Sequence, residues 1–468
     1  MQQFSNNGDT IVAPATAAGA GAIAVIRISG SKAFEITDGV FVGKGKNKKK
    51  IGEQDSHTIH FGWIKDGEQT IDEVLVSVFK NPHSYTGEDV VEISCHGSIF
   101  IQQQILQLLN KQGARNARPG EFTLRAFLNG KMDLSQAEAV ADLIASDSSA
   151  SHDLALKQMR GGYSSEMKQL REQLINFASL IELELDFSEE DVEFADRKEL
   201  AKLISHLISH ISNLISSFEL GNVIKHGIPV VIAGRPNVGK STLLNALLND
   251  ERAIVSHIAG TTRDTIEEEI VLSGIKFRFI DTAGIRETSD AIESIGVSRT
   301  MEKINQSPVL IYLFDVNEST PASLRSELKE LKKNVHSTNY KVILAGNKVD
   351  MKNIENPKKE FYEFGDIVFI SAKEKINLSG LTKKLQDEIN LSNTKPDNVI
   401  VTNARHAEAL QHTNESLQLV LEGLNNKLSG DLIAPEIRNA LYHLGLITGE
   451  VTNDMLLANI FGKFCIGK

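Results

Sequence analysis

The chain has 468 residues, which at about 150 residues per domain is enough for roughly three domains. Apolar residues make up 41% and charged residues 24%, a globular composition that excludes disordered, collagen-like and membrane-dominated chains. The 50 basic and 61 acidic side chains give a net charge of −11. This charge argues against non-specific coating of nucleic acid, but a local basic patch remains compatible with a structured RNA partner.

Targeting signals are absent from the sequence pattern. Cys95 and Cys465 are the only cysteines, which excludes a disulfide framework and predicts a reducing, cytoplasmic location. The N-terminal segment lacks the basic and apolar regions of a signal peptide, and no stretch approaches the ~18 apolar residues of a membrane-spanning helix. We therefore expect no membrane association.

The first 120 residues have a mixed α and β pattern. Spacing predicts a helix over 99–110, and the basic run 44–50 is interpreted as a solvated loop, with nucleic-acid binding as the alternative. Apolar, β-branched runs separated by turn residues predict strands at 22–30, 57–64, 73–79 and 89–95.

Helical patterns dominate from about residue 134 and again over 400–468. Ser135 and Glu138 have the spacing of a capping box, and one apolar face predicts a long helix over 199–220. Residues 181–187 alternate like a strand but lie between helical segments, so we interpret them as helix.

Residues 227–395 change character, because short apolar runs alternate with helical segments as in a sheet buried on both faces. Helical sequence lies on both sides of this module, which predicts an α/β domain inserted into a helical one. The predicted organisation is an α+β domain at 1–120, two helical segments at 121–226 and 396–468, and a P-loop domain at 227–395. The fold class is therefore multidomain α/β and α+β.

One motif in the inserted domain carries phosphate chemistry. Residues 234–241 read GRPNVGKS between an apolar strand and a helix, which is the required context of a P-loop. Lys240 is expected to contact the β- and γ-phosphates, and the Ser241 hydroxyl is expected to bind Mg²⁺.

Three further motifs end predicted strands, where open α/β sheets bind ligands. They are DTAG at 281–284, NKVD at 347–350 and SAK at 371–373. The Asp350 carboxylate is able to accept hydrogen bonds from guanine N1–H and the 2-amino group, which selects GTP over ATP. The four motifs in this order resemble those of the translation-factor-like GTPases.

The sequence predicts that the hydrolytic mechanism differs from that of Ras-like enzymes. Ile285 follows DTAG in place of a water-orienting glutamine. Asn237 is either a loop-shaping residue or a ligand of a monovalent cation that neutralises transition-state charge. Arg263 and Arg286 are alternative arginine fingers, but each has an equally simple interpretation as a surface charge.

Several longer segments make the resemblance specific. The terminal FCIGK (464–468), residues 84–97 and 117–144, and GTTRD (260–264) resemble the MnmE (TrmE) family of tRNA modification GTPases over essentially the whole chain. The resemblance implies a folate-binding and dimerisation domain, a helical domain in two segments and an inserted Ras-like G domain. It also implies a homodimer whose G domains pair when K⁺ is bound, and a partner like MnmG (GidA) that uses FAD and NADH. Together the two proteins would place an aminomethyl or carboxymethylaminomethyl group on C5 of the wobble uridine of certain tRNAs.

The resemblance also implies roles for individual residues. Asn237, Ser256, Ile258 and Thr261 match K⁺ ligands, and Ser241 and Thr262 match Mg²⁺ ligands. Glu293 matches an acidic residue that orients the attacking water, although alone it reads as a solvated helix charge. Arg27, Glu92, Lys131 and Lys468 match a 5-formyl-tetrahydrofolate site. Residues expected around GTP are Asn237, Val238, Gly239, Lys240, Ser241, Thr242, Ser256, His257, Ile258, Ala259, Gly260, Thr261, Thr262, Asp281, Thr282, Ala283, Gly284, Asn347, Lys348, Val349, Asp350, Ser371, Ala372 and Lys373.

The cysteines and the overall function retain alternatives. Cys465 is interpreted as a terminal thiol that helps the modification reaction, beside Lys240 and Glu293 as catalytic residues; a prenylation box or a passive cysteine are the alternatives. Cys95 lies in a predicted strand and is expected to be core.

The alternative functions are a GTP-regulated ribosome-assembly factor or scaffold, and a folate-dependent transferase with the G domain as regulator.

Overall fold

The structure is a computed structural model that describes residues 8–44, 49–186, 197–249, 267–281, 307–334, 340–351, 355–388 and 399–467. It divides into two compact units. Unit 1 comprises residues 1–144, 156–209 and 409–468, and unit 2 comprises residues 145–155 and 210–408. Within the described residues, no helix is both long enough and apolar enough to cross a membrane.

The N-terminal part of unit 1 is an α+β domain. Its sheet has the order β3-β4-β5-β6-β2-β1-β7, with antiparallel pairing except between β1 and β7. The strands are β1 (Ile11–Pro14), β2 (Ile23–Ser29), β3 (Phe41–Gly43), β4 (Thr58–Asp66), β5 (Gln69–Phe79), β6 (Val90–His96) and β7 (Arg115–Asn116). The helices are α1 (Ala33–Asp38) and α2 (Ile99–Lys111).

Along the strands of this domain, successive side chains alternate between the apolar core and the opposite face of the sheet. Ile26 and Ile28 of β2 and Ile93 of β6 are buried in one apolar core with residues of α1 and α2. Arg27 and Glu92, with the opposite parity, face each other across β2 and β6 on the other side of the sheet. The four strands and the helix predicted in this region are confirmed.

The rest of unit 1 is helical, as predicted. The helices are α3 (Glu121–Leu128), α4 (Leu134–Ala145), α5 (Ser149–Met159), α6 (Gly162–Asp186) and α7 (Arg197–His226), some of which continue into unit 2. The long helix predicted over 199–220 lies within α7. Residues 181–186 are helical, as interpreted, and Phe187 lies outside the described residues.

The capping box predicted at Ser135 and Glu138 is wrong. Helix α4 begins at Leu134, and Asp133 caps it, because its Oδ1 accepts from the Gln136 backbone N–H at 3.0 Å. The Gln136 Oε1 in turn accepts from the Asp133 backbone N–H at 3.0 Å. The reciprocal pair therefore lies two residues earlier, with a carboxylate in place of the serine hydroxyl.

Unit 2 contains a sheet of order β13-β12-β11-β8-β10-β9. Its strands are parallel except β9, which pairs antiparallel with β10. The strands are β8 (Ile228–Ala233), β9 (Glu267–Leu272), β10 (Ile275–Asp281), β11 (Val309–Asp315), β12 (Lys341–Asn347) and β13 (Val368–Phe369). The helices are α8 (Lys240–Leu248), α9 (Pro321–Asn334), α10 (Glu355–Glu360) and α11 (Leu378–Glu388).

Apolar cores cover both faces of this sheet, as the continuous apolar strands predict. Val230 and Ile232 of β8 belong to one core, while Val231 belongs to the other. Strand β9 is an addition that we did not predict. It joins β10 through Ser273 and Gly274, whose φ angles of 50° and 82° suit a tight hairpin turn.

Residues 145–155 pack against this hairpin within unit 2. The Ala150 N–H donates to the Gly274 carbonyl at 3.1 Å. The Lys276 ammonium lies 2.8 Å from the Asp147 carboxylate, and both side chains are largely buried.

The C-terminal helices are α12 (Ala404–Asn425), α13 (Gly430–Thr448) and α14 (Asp454–Phe461), and α13 packs on α6 within unit 1.

Candidate functional site

The P-loop connects β8 to α8 through backbone that requires its glycines. Gly234 has φ 149° and Gly239 has φ 99°. A Cβ at Gly234 would lie 2.1 Å from the Leu313 carbonyl oxygen, and a Cβ at Gly239 would lie 2.4 Å from Asn347 Nδ2. Asn237 also has a positive φ, 63°, which asparagine tolerates better than most residues. The predicted strand–loop–helix context is confirmed.

The functional side chains of this loop differ in exposure. Asn237, Ser241 and Thr242 are exposed, and Val238 is buried. The Lys240 ammonium donates to the carbonyls of Gly234 and Arg235, both at 2.9 Å. The lysine is therefore held over the first half of its own loop, where phosphate oxygens are expected to bind.

Parallel register brings the other motifs to the same edge of the sheet. Asp281, the last residue of β10, is paired with Ile232 of β8, one residue before the end of that strand. Asp315 at the end of β11 is paired with Asn347 at the end of β12. The carboxyl ends of four neighbouring strands thus meet beside the P-loop, the usual ligand-binding edge of an open α/β sheet.

Asn347 joins three of the motifs. Its Nδ2 donates to the Val238 carbonyl at 2.8 Å, and its Oδ1 accepts from the Ala372 N–H at 2.9 Å. The side chain is buried, so both bonds are shielded from water. Asn347 is therefore a bridge between the P-loop and the SAK segment. Ser371 is buried and caps this segment by accepting from the Glu374 N–H at 3.1 Å, while Lys373 is exposed.

Sequence reasoning missed Asp315. Its carboxylate lies 2.6 Å from the Lys348 ammonium and is buried, and Asn317 donates to it as well. Burial acts to raise the pKa of Asp315, but Lys348 and Asn317 outweigh it and hold that pKa below its usual value. The signal in the sequence was an acid closing the otherwise apolar strand β11. Lys348 is thereby fixed beside the exposed Asp350, the expected base-reading carboxylate.

The predicted folate residues lie in unit 1. Arg27 Nε and Nη2 each lie 2.8 Å from Glu92 Oε1, so these two side chains form an ion pair. The Arg27 guanidinium also lies 5.2 Å from the ring centroid of Tyr85 and 5.6 Å from that of Phe122. Lys131 donates to the Pro82 carbonyl at 3.0 Å, in the loop that carries Tyr85.

The C-terminal segment contacts this same site. Arg27 Nη1 donates to the Gly467 carbonyl at 3.3 Å, and the Gly120 N–H donates to the Cys465 carbonyl at 3.4 Å. Gly467 has φ 95°, and a Cβ there would lie 1.9 Å from the Pro14 carbonyl oxygen. Only glycine fits at this position, so the segment is docked closely against β1. Its Cys465 thiol is free and exposed.

Cys95 is buried, as predicted for a core cysteine. Burial, with the nearby Asp72 carboxylate, raises the pKa of the Cys95 thiol to about 11. Within the described ranges, no group of three or more His, Cys, Asp or Glu side chains is arranged to hold a metal ion.

Many of the predicted site residues lie outside the described residues. For Asp281 only the backbone is described. The remainder are Ser256, His257, Ile258, Ala259, Gly260, Thr261, Thr262, Arg263, Thr282, Ala283, Gly284, Ile285, Arg286, Glu293 and Lys468.

Known proteins resemble this chain over nearly its whole length. The MnmE helical domain model matches residues 134–465, and the N-terminal model of the GTP-binding protein TrmE matches residues 10–131. The tRNA modification GTPase MnmE of Cytophaga hutchinsonii is 55% identical over 99% of both chains. That of Flavobacterium johnsoniae is 56% identical over 99% of this chain and all of its own.

Among solved structures, Era of Aquifex aeolicus is 28% identical and covers 41% of this chain and 67% of its own, with a TM-score of 0.27. The two family models and the near-complete relatives are decisive for the assignment. The chain belongs to the MnmE family of tRNA modification GTPases and is a GTPase that acts in tRNA modification.

Proposed function

We propose that this protein is a K⁺-activated GTPase that modifies the wobble uridine of tRNA together with an MnmG-like FAD protein. The modification is an aminomethyl or carboxymethylaminomethyl group on C5, built with a one-carbon unit carried by tetrahydrofolate. The observation that carries the proposal is the coexistence of two sites in one chain. One is a P-loop joined to a guanine motif through Asn347, and the other is the Arg27–Glu92 pair beneath a segment with an exposed thiol.

Cations at the P-loop belong to this proposal. Ser241 and Thr262 would hold Mg²⁺, and Asn237, Ser256, Ile258 and Thr261 would hold K⁺. The exposed carboxamide of Asn237 is a neutral oxygen donor, which suits a monovalent cation. A bound K⁺ supplies positive charge for the transition state in place of an arginine finger. The positive φ of Asn237 also fits its alternative role in loop shape, so its test is functional.

Hydrolysis also requires an oriented water. Ile285 cannot accept a hydrogen bond from water, so we assign that role to Glu293. Lys240 would contact the β- and γ-phosphates. Arg263 and Arg286 are the alternative sources of positive charge.

The folate site combines groups that suit tetrahydrofolate. Glu92 offers a carboxylate to the N–H groups of a pterin edge, and Tyr85 and Phe122 supply aromatic rings beside it. Arg27, Lys131 and Lys468 suit the carboxylates of the glutamate tail. Because Arg27 bonds both Glu92 and the Gly467 carbonyl, the C-terminal segment and the folate would share one anchor.

Folate affinity is expected to depend on these basic residues. Charged hydrogen bonds contribute about 1.5–3 kcal/mol each, so Arg27→Ala with Lys131→Ala should lower the affinity at least tenfold, as ~1.4 kcal/mol corresponds to tenfold. Isothermal titration with 5-formyl-tetrahydrofolate measures this. Arg118→Ala, at an exposed arginine of the same unit, and Lys240→Ala should both bind folate normally. An unaltered affinity in the double variant would remove Arg27 and Lys131 from the site.

The remaining parts of the proposal are organisational. We propose that the Cys465 thiol takes part in the modification reaction, since it is free and exposed at the docked segment. We also propose a cytoplasmic homodimer, with domains at 1–120, 121–226, 227–395 and 396–468. Dimerisation would take place through the first domain, and the K⁺-bound G domains would pair.

Two other functions would use some of the same sites. A ribosome-assembly factor or scaffold would use the G domain, but it has no need of a one-carbon site or a terminal thiol. A folate-dependent transferase would use the G domain only as a regulator. Nucleoside analysis of bulk tRNA from a deletion strain separates these functions. Loss of the C5 wobble modification, restored by the wild-type gene but not by Lys240→Ala, supports the proposal; unchanged modification would exclude it.

A further inference from the structure

The charged side chain of the P-loop residue Arg235 contacts a specific partner outside the loop. Its Nη2 lies 2.6 Å from Oε1 of Glu327, on helix α9. The Arg235 side chain is 60% exposed, whereas that of Glu327 is only 13% exposed. The contact is a charge contact without an aligned hydrogen bond at Oε1.

Glu327 is itself fixed from the core. The Tyr312 hydroxyl donates to its other oxygen, Oε2, at 2.6 Å. Tyr312 lies on the central strand β11 and is buried. Burial and the Glu327 contact raise the pKa of Tyr312 above its usual value, so the phenol remains a donor at neutral pH. A continuous series of contacts therefore runs from β11 through Tyr312 and Glu327 to Arg235.

Arg235, the last residue in this series of contacts, lies in the first half of the P-loop, where phosphate oxygens are expected to bind. The carbonyls of Gly234 and Arg235 accept hydrogen bonds from Lys240, both at 2.9 Å. Asn237, two residues further along the loop, has a φ of 63°. Arg235 is thus contacted twice, at its side chain by Glu327 and at its carbonyl by Lys240.

We propose that Glu327 is a positioning residue for nucleotide binding. Through Arg235 it holds the first half of the P-loop in its binding conformation, so that a nucleoside diphosphate meets a preformed site. Preorganisation of this kind raises affinity by reducing the entropy lost on binding. The inference depends only on GTP and GDP binding, and it is independent of K⁺ and folate.

The direction of the change in GDP affinity distinguishes this positioning role of Glu327 from a purely electrostatic effect of its charge. Glu327 is a negative charge near a site for a polyanion, so its charge alone weakens nucleotide binding. Glu327→Gln would then tighten GDP binding if charge were all that mattered. If the tether dominates, the same substitution weakens GDP binding although it removes a repulsive charge.

The experiment measures the affinity and dissociation rate of a fluorescent GDP analogue on the full-length protein. We expect Glu327→Gln to weaken binding by about three- to tenfold, mostly through faster dissociation. Glu327→Asp keeps the charge but withdraws the carboxylate by about 1.5 Å, one carbon–carbon bond, and should weaken binding similarly. Tyr312→Phe should have a smaller effect in the same direction.

One control variant and one double variant complete the design. Glu330→Gln removes an exposed carboxylate from the same helix and should leave GDP affinity unchanged or slightly tighter. Arg235→Ala should weaken binding like Glu327→Gln, and the double variant should lose no more than either single one. Thermal unfolding of each variant checks that the domain is folded. GDP binding by folded Glu327→Gln that is as tight as that of wild type or Glu330→Gln would overturn the proposal, as would additive losses in the double variant.

Discussion

Replacement of Asp350 by asparagine is expected to change the preferred nucleotide from GTP to XTP. The carboxylate at 350 is expected to accept from guanine N1–H and the 2-amino group, and an amide would place its own NH₂ against one of those donors. Xanthine has an oxygen at C2, so the asparagine NH₂ gains an acceptor there. A site built to hydrogen-bond one partner rejects the mismatched one by about 10⁴ or more, which makes this one of the largest effects we expect.

The measurement is the ratio of GTP to XTP affinity for wild type and Asp350→Asn. Asp387→Asn changes an exposed carboxylate of the same domain and should leave that ratio unaltered. Lys348 of the same motif is paired with Asp315 and not with Asp350, so the variant should retain a folded site. A variant that still prefers GTP as strongly as wild type would show that Asp350 does not read the base.

The strands of the G domain were predictable because they are buried on both faces. The runs ending at Ala233, Asp315 and Asn347 are continuously apolar, so neither pairing nor register is needed to recognise them. Strand β9 was not predictable in this way. It begins with three glutamates at 267–269, and only its antiparallel pairing with β10 makes it a strand.

For the site residues, prediction from the sequence was limited by strand register, which decides which distant residues contact each other. Arg27 and Glu92 are 65 positions apart, and only the family resemblance assigned them to one folate site; it did not indicate that they contact each other. The register of β2 against β6 makes them each other's partner, and register cannot be read from either strand alone. Asp315 was missed for the same reason, since its partner Lys348 is on the loop after the neighbouring strand.

Potassium is expected to accelerate GTP hydrolysis, and sodium is not. Intrinsic hydrolysis in a Ras-like site without a finger is about 10⁻⁴ s⁻¹, and a supplied positive charge adds roughly 10³ to 10⁵. With Ile285 in the glutamine position, we expect the rate to come from a cation held near Asn237 and from a carboxylate such as Glu293. Sodium is smaller and fits a potassium-sized set of oxygen ligands poorly.

Variants of Asn237 and Glu293 separate the role of the cation from that of the water-orienting carboxylate. Asn237→Ala should lose the preference for K⁺ over Na⁺, while Asn245→Ala, at an exposed asparagine of helix α8, should keep it. Glu293→Ala should lose rate but still dimerise through its G domains when K⁺ and a transition-state mimic are present. Light scattering measures that dimerisation without depending on turnover.

The most direct test of K⁺ activation is the steady-state GTP turnover of the wild-type protein in K⁺ and in Na⁺ at equal ionic strength. We expect turnover in K⁺ to be faster by about tenfold or more, since a supplied charge is worth at least that much. Equal rates in the two salts would contradict K⁺ activation and leave Arg263 or Arg286 as the source of the positive charge.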